Sequence, residues 1–367
     1  MINHQTRGFA SPSRYIQGRY ELEKLKEYTD VYGEKLYILV DTFFYSAYKE
    51  IFGKMYEGTP LIVKEYAGEI TAERIEEFTK EVVDFVPEVV VGMGGGKAMD
   101  AAKALADNWD AAIIIVPTTA STDAPAIGLS VMYNDAGEHI GARHYKKNPD
   151  LVLLDTEIIV KAPIRFLVAG MGDALATFIE TRANLESSSP NYVGKGYAAT
   201  LAVKAIAEAC HDTILSKGVR AKLAAQNGLC TVDVEDVIEA NTLLSGVGVQ
   251  NSSCAGAHSV AEGLTVLPGP AKMLHGELVA FGCLVQLVIE GRDNEEVEEL
   301  FDFFYEVGLP TNFEMLNMKD ASPEDVMKVA ETSLESYWDV EPFPVTAQMI
   351  SDAIYLVDIL DKKYRAV

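Results

Sequence analysis

Val89-Val90-Val91-Gly92-Met93-Gly94-Gly95-Gly96-Lys97-Ala98-Met99-Asp100 joins a β-branched run to a helix-forming segment through consecutive glycines. A strand that passes through glycines into a helix is a building unit of an α/β sheet. Glycines at such a turn let the backbone bend sharply and approach a phosphate, while free N–H groups at the helix start and Lys97 supply positive potential. A pyrophosphate fits there. The G-x-G-x-x-G pattern does not, because Lys97 stands where its last glycine would be, and the P-loop pattern would need a glycine at Val91. The stretch also reads as a tight strand-to-helix turn that needs no ligand.

Outward from this loop, short apolar runs alternate with helical patterns up to about residue 162: Leu36 to Val40, Leu61 to Val63, Ile113 to Val116 and Leu151 to Leu154, with an amphipathic segment from Ala72 to Phe85. Strands separated by helices imply crossover connections, hence a mostly parallel sheet covered on both faces. Tyr133-Asn134-Asp135-Ala136-Gly137-Glu138 carries turn chemistry and predicts a small hairpin. After Pro163 the strand signals stop. Helical patterns follow over Gly170 to Asn184, Val193 to His211, Val232 to Gly246, Glu277 to Glu290, Glu295 to Val307 and Ala347 to Lys362. The chain's 367 residues exceed the roughly 250–300 that one core usually serves. The expected organisation is an α/β domain, Rossmann-like with a parallel sheet, over residues 1–162, and an all-helical domain over 163–367. No linker separates them, so a ligand cleft between the two is expected.

Composition limits the ligand. The formal charge of −24 disfavours nucleic acid and anionic membrane, since both need clustered Lys and Arg. No run reaches the roughly 18 apolar residues of a membrane helix, and Met1 to Arg7 lack an apolar signal core, so a cytoplasmic protein is expected. Cys210, Cys230, Cys254 and Cys283 have no CxxC spacing and read as buried free thiols.

Three further features carry chemistry. Asp41 closes the run Leu36 to Val40, where ligands of open α/β sheets lie, and its carboxylate could accept ribose hydroxyls and favour NAD over NADP, or simply cap a helix. Asp173, in Gly170-Met171-Gly172-Asp173-Ala174, together with His258 and His275 offers one carboxylate and two imidazoles, the open three-ligand set of a catalytic metal. Spacing cannot show that they converge, and each histidine alone also reads as a core or cap residue, as His4, His139, His144 and His211 do. The same set is also the two-histidine, one-carboxylate triad of a non-haem iron oxygenase. Pro117-Thr118-Thr119-Ala120-Ser121-Thr122-Asp123-Ala124-Pro125 offers hydroxyls and a carboxylate beyond a strand end, or a surface loop.

Together these motifs, with Pro12-Ser13-Arg14-Tyr15-Ile16-Gln17-Gly18, resemble the glycerol dehydrogenases of the iron-containing (group III) alcohol dehydrogenase superfamily over nearly the whole chain. The resemblance implies a nucleotide-binding α/β domain and a helical domain in a dehydroquinate synthase-like fold. It implies a zinc held by Asp173, His258 and His275, NAD contacts at Asp41, Gly96, Lys97, Thr118, Ser121, Leu129 and Tyr133 beside Gly94 and Gly95, and Asp123 near the substrate hydroxyls. Ile127 departs from the family, where a serine touching the cofactor is expected. Iron-type members carry another histidine four residues after the aspartate; here Thr177 occupies that position, which looks like the zinc-using branch rather than the iron enzymes. A superfamily relative acting on another small alcohol or a polyol phosphate, such as a glycerol-1-phosphate dehydrogenase, is the alternative within the superfamily, and a nucleotide-binding module without catalysis the alternative outside it. The expected reaction is oxidation of glycerol or a similar vicinal diol by a homo-oligomer, with hydride passing to NAD; for glycerol the product is dihydroxyacetone.

Overall fold

A computed structural model describes residues 5–134 and 139–365. The tip of the expected hairpin, residues 135–138, and His4 lie outside the described residues. The chain forms two compact units. One comprises Ala10–Ala120 and Ala124–Ala162; the other comprises the segment up to Phe9, Ser121–Asp123 and Pro163–Val367.

The first unit is α/β. In chain order it contains β1 (Tyr15–Gly18), α1 (Leu25–Thr29), β2 (Leu36–Asp41), α2 (Thr42–Met55), β3 (Leu61–Tyr66), α3 (Ala72–Glu81), β4 (Val89–Gly94), α4 (Gly96–Trp109), β5 (Ala112–Pro117), β6 (Leu129–Tyr133), β7 (His139–His144), β8 (Leu151–Asp155) and α5 (Thr156–Lys161). Six strands make one parallel sheet in the order β1-β8-β5-β4-β2-β3, and β6 pairs with β7 in an antiparallel ribbon. Both faces of the central strands are buried: Leu36, Ile38 and Val40 pack into one cluster with Val89, Val91, Ile114 and Leu153, while Tyr37, Leu39 and Val90 are equally inaccessible. That explains why these strands read as unbroken apolar runs. β1 escapes such a reading because its four residues, Tyr-Ile-Gln-Gly, are only half-buried at the sheet edge.

The chain runs from β2 outward to β3 and returns on the other side of β2 to form β4. This reversal makes the carboxyl ends of β2 and β4 the place where an open α/β sheet receives a ligand. Gly92 allows α4 to lie against β4, since a Cβ there would be 2.5 Å from Cβ of Ala102.

The second unit is helical: α6 (Ile164–Ser187), α7 (Leu201–Gln226), α8 (Val232–Glu239), α9 (Ser245–Ser252), α10 (Gly256–Leu264), α11 (His275–Ile289), α12 (Asn294–Val307), α13 (Pro323–Leu334) and α14 (Ala347–Arg365). A π-helical turn over Ala240–Leu244 joins α8 to α9. The helix expected from Val193 starts only at Leu201, because Gly194, Lys195 and Gly196 take φ values of 99°, 55° and 71° that no α-helix contains. All four cysteines are free, but only Cys210 and Cys283 are buried; Cys230 and Cys254 are half-buried, which corrects the expectation for those two. Among the described residues no helix is long and apolar enough to cross a membrane.

Candidate metal centre and nucleotide loop

Glycines build the meeting point of α6, α10 and α11. A Cβ on Gly172 would lie 2.4 Å from the carbonyl oxygen of Gly276, one on Gly276 would lie 1.9 Å from that of Ala169, and one on Gly282 2.1 Å from that of Ala257. The backbones therefore approach as only glycine permits, and Gly172 and Gly276 each adjoin a candidate ligand, as Ala257 does on α10. Asp173 and His258, both buried, and the half-exposed His275 are thereby brought together. Nε2 of His258 lies 3.5 Å and Nε2 of His275 3.4 Å from Oδ1 of Asp173. Donors bound at about 2.0–2.1 Å around a tetrahedral zinc stand about 3.3–3.4 Å apart, so the set fits such an ion.

Oδ1 of Asp173 is buried and forms no hydrogen bond among the described residues, a costly arrangement for a carboxylate oxygen unless a cation meets it. Burial pushes the Asp173 carboxyl up, but His275 and His258 outweigh it and hold the group well below the usual carboxylate range. Burial likewise pulls His258 down, and Cys254, Glu180 and Asp173 together raise it well above its ordinary value. The centre favours positive charge.

Asp123 belongs to the helical unit, and its N–H donates to Oδ2 of Asp173 at 3.2 Å. Thr177, one turn beyond Asp173, is buried; its hydroxyl shares a hydrogen bond of 2.9 Å with Ser245, and its methyl carbon lies 2.2 Å from where a Cβ on Gly248 would be. An imidazole at this position would have to displace α9.

Two carboxylates here went unread in the sequence. Glu180 is 2.7 Å from Nδ1 of His258, and its place seven residues after Asp173 on one helix face was the available signal. Glu277 accepts from the N–H of Leu274 at 2.9 Å and takes a two-pronged ion pair from Arg165 at 2.5 and 2.7 Å, which fixes the first turn of α11 where His275 sits.

The other candidates, Ser121 apart, lie in the α/β unit. Asp41, Gly94 and Thr118 stand at or just beyond the carboxyl ends of the neighbouring strands β2, β4 and β5. Gly94 has φ +152°, and a Cβ on it would lie 2.6 Å from Cβ of Asp41. Around Gly95 and Gly96, by contrast, a Cβ would meet nothing within 4 Å, and Gly95 gives α4 no side-chain cap. The start of α4 thus offers N–H groups facing open space, which suits an anion. Lys97 is exposed; its ammonium pairs with Glu69 and sits 6.0 Å from the ring centre of Tyr133. Asp41 caps α2 by accepting from the N–H of Phe43 at 2.9 Å. The N–H of Thr118 donates to the Gly94 carbonyl at 3.1 Å. Leu129 begins β6, and Ser121 is half-buried and grouped with the helical unit. Lys103, also unread in the sequence, is buried on α4 and donates to Asp100 at 3.0 Å and to the carbonyls of Ala124 and Leu129 at 2.6 and 3.0 Å.

An α/β unit with an open anion loop and a helical unit with a three-ligand cluster are the parts a nucleotide-linked metalloenzyme needs. A model of the iron-containing alcohol dehydrogenase family matches residues 12–156. The chain is 40% identical over 353 residues to a glycerol dehydrogenase of Thermotoga maritima, covering 95% of both, and 35% identical over 364 residues to a glycolaldehyde reductase of Halobacterium salinarum, covering 97% of this chain and 98% of that one. The crystal structure of a probable glycerol dehydrogenase from Sinorhizobium meliloti 1021 matches with a TM-score of 0.92 at 39% identity, over 97% of this chain and 99% of that chain. The chain belongs to the iron-containing alcohol dehydrogenase family, and it is an NAD-dependent alcohol dehydrogenase.

Proposed function

We propose that this enzyme oxidises glycerol to dihydroxyacetone, or a similar small vicinal diol to the corresponding hydroxycarbonyl compound, using a zinc ion held by Asp173, His258 and His275. The observation that carries the proposal is the buried, unbonded Oδ1 of Asp173 with two imidazole nitrogens at 3.4 and 3.5 Å. When bound, the metal would act as a Lewis acid, lowering the pKa of a substrate hydroxyl and stabilising charge on its oxygen. Asp173, tied to the N–H of Asp123, holds that residue at the cluster, where its carboxylate would accept from the other polyol hydroxyls. Zinc rather than iron is supported by Thr177, whose packing against Gly248 leaves a fourth protein ligand no room.

In the same proposal residues 1–162 form the NAD-binding domain and 163–367 the metal-binding domain. Gly94, Gly95, Gly96 and the start of α4 would hold the pyrophosphate, with Lys97, Thr118, Ser121, Leu129 and Tyr133 as further NAD contacts, and Asp41 would accept the ribose hydroxyls and repel a 2′-phosphate. A cytoplasmic setting and assembly into a homo-oligomer complete the proposal, on the strength of the family resemblance.

The Halobacterium salinarum relative favours a second reading, reduction of a short hydroxyaldehyde, which is the same chemistry run in reverse. Both are tested by comparing kcat/KM for NADH formation from glycerol and 1,2-propanediol with that for NADH consumption by glycolaldehyde, on zinc-loaded enzyme between pH 7 and 10. The proposal expects both diols to be turned over. Faster turnover of glycolaldehyde alone would support the second reading, and no NADH from either diol would refute the first.

A further inference from the structure

We infer that Glu180 is the positioning residue of the metal centre, its one carboxylate both seating the helix that carries His258 and fixing which nitrogen of that imidazole faces Asp173. The inference rests on the zinc proposal above and adds a residue that does not touch the metal.

Glu180 lies on α6 two turns after Asp173 and is 1% exposed, so its charge requires partners. Three are present. Oε1 accepts the N–H of Ala255 at 2.8 Å and that of His258 at 2.9 Å, while Oε2 lies 2.7 Å from Nδ1 of His258. The N–H of His258 is one of the donors that the start of a helix leaves without an intrahelical acceptor. The helix cannot satisfy it locally: its N-cap is Ala255, with no side-chain acceptor, and the chain enters through Ser253 at φ 121°, a conformation that costs backbone energy. Glu180 caps α10 from another helix, and Gln286 completes the task by accepting the N–H of Ala257 at 2.8 Å.

The contact to Nδ1 does something a cap does not. A carboxylate oxygen at this contact accepts, so in the neutral imidazole, the form that binds a metal, Nδ1 carries the hydrogen and the lone pair is on Nε2, the atom that stands 3.5 Å from Oδ1 of Asp173. That tautomer is the one a metal can bind through Nε2, and carboxylates that enforce it typically govern metal affinity by about 10–100-fold.

Glu180→Gln separates the two roles. Its carbonyl still accepts from Ala255 and His258, so α10 stays capped. Its NH2 meets Nδ1 as a donor, which moves the imidazole hydrogen to Nε2 and blocks the lone pair. The expected result, for metal-stripped protein titrated with Zn(II) against a chromophoric chelator, is an affinity about 10–100-fold weaker than wild type with an unchanged melting temperature. Glu180→Ala should show the same loss together with a lower melting temperature. Nitrogen-15 NMR of the histidines in the zinc-bound wild type supplies an independent reading that needs no variant: Nδ1 of His258 should be protonated and Nε2 metal-bound. Wild-type zinc affinity in a folded Glu180→Gln protein, or zinc on Nδ1, would overturn the inference while leaving the zinc proposal standing. A wild-type chain that binds no zinc would overturn both.

Discussion

Asp173→Ala is expected to lower kcat by about 10^3-fold or more and to abolish stoichiometric zinc binding, while the protein stays folded. A Lewis acid contributes several kcal/mol to a developing charge, and each 1.36 kcal/mol is a factor of ten in rate. The loss should fall on kcat rather than on KM for NAD, because the glycine loop and Asp41 belong to the other unit. Folding should survive, since the substitution removes a buried oxygen that has no hydrogen bond and withdraws one acceptor, at 3.2 Å, from the N–H of Asp123. Steady-state kinetics and metal analysis on the same preparation check both halves. A kcat within about tenfold of wild type, equivalent to only ~1.4 kcal/mol, would take Asp173 out of the reaction.

Lys103→Met should cost the α/β unit about 3–5 kcal/mol, the usual result of removing one partner from a buried ion pair. Lys103 and Asp100 are 3% and 4% exposed. Methionine nearly fills the space of lysine, so the loss reports charge and hydrogen bonding rather than a cavity. Asp100, whose carboxyl burial already pushes up, would keep only the N–H of Val131 at 2.9 Å, and the carbonyls of Ala124 and Leu129 would lose their shared donor. Those carbonyls bracket the segment leading into β6, so KM for NAD should rise as well. The urea midpoint measures the first effect, and adding Asp100→Asn should recover part of it by removing the stranded charge. A shift below about 1 kcal/mol would mean that the pair is solvated or that its removal is compensated.

The sheet was legible because its central strands are buried on both faces and must be apolar, as residues 36–40 and 89–93 are. β1 was not, since four half-buried residues at an edge leave no apolar run to read. The stretch from Val193 to Thr200 misled because its small and apolar residues mimic a helix, whereas the left-handed turn at Gly194–Gly196 delays α7 to Leu201.

In the metal centre, residue types pointed to Asp173, His258 and His275, but their convergence depends on backbone contacts at Gly172, Gly276 and Gly282 that no spacing reveals. Glu180 was hidden because its partner His258 lies 78 positions away, so a seven-residue spacing from Asp173 had nothing to refer to. Lys103 was hidden for a different reason: a lysine on a helix usually faces water. Asp41 shows the limit from the other side. The structure makes it the cap of α2, one of the two roles a strand-end aspartate can have, and that cap leaves the ribose role to be tested by binding.

The most direct test of the account is NADH formation from glycerol before and after chelation, followed by separate addition of Zn(II) and Fe(II). Chelation is expected to abolish activity and zinc to restore it. Activity indifferent to chelation would contradict the assignment of Asp173, His258 and His275, and recovery with iron but not zinc would contradict the metal.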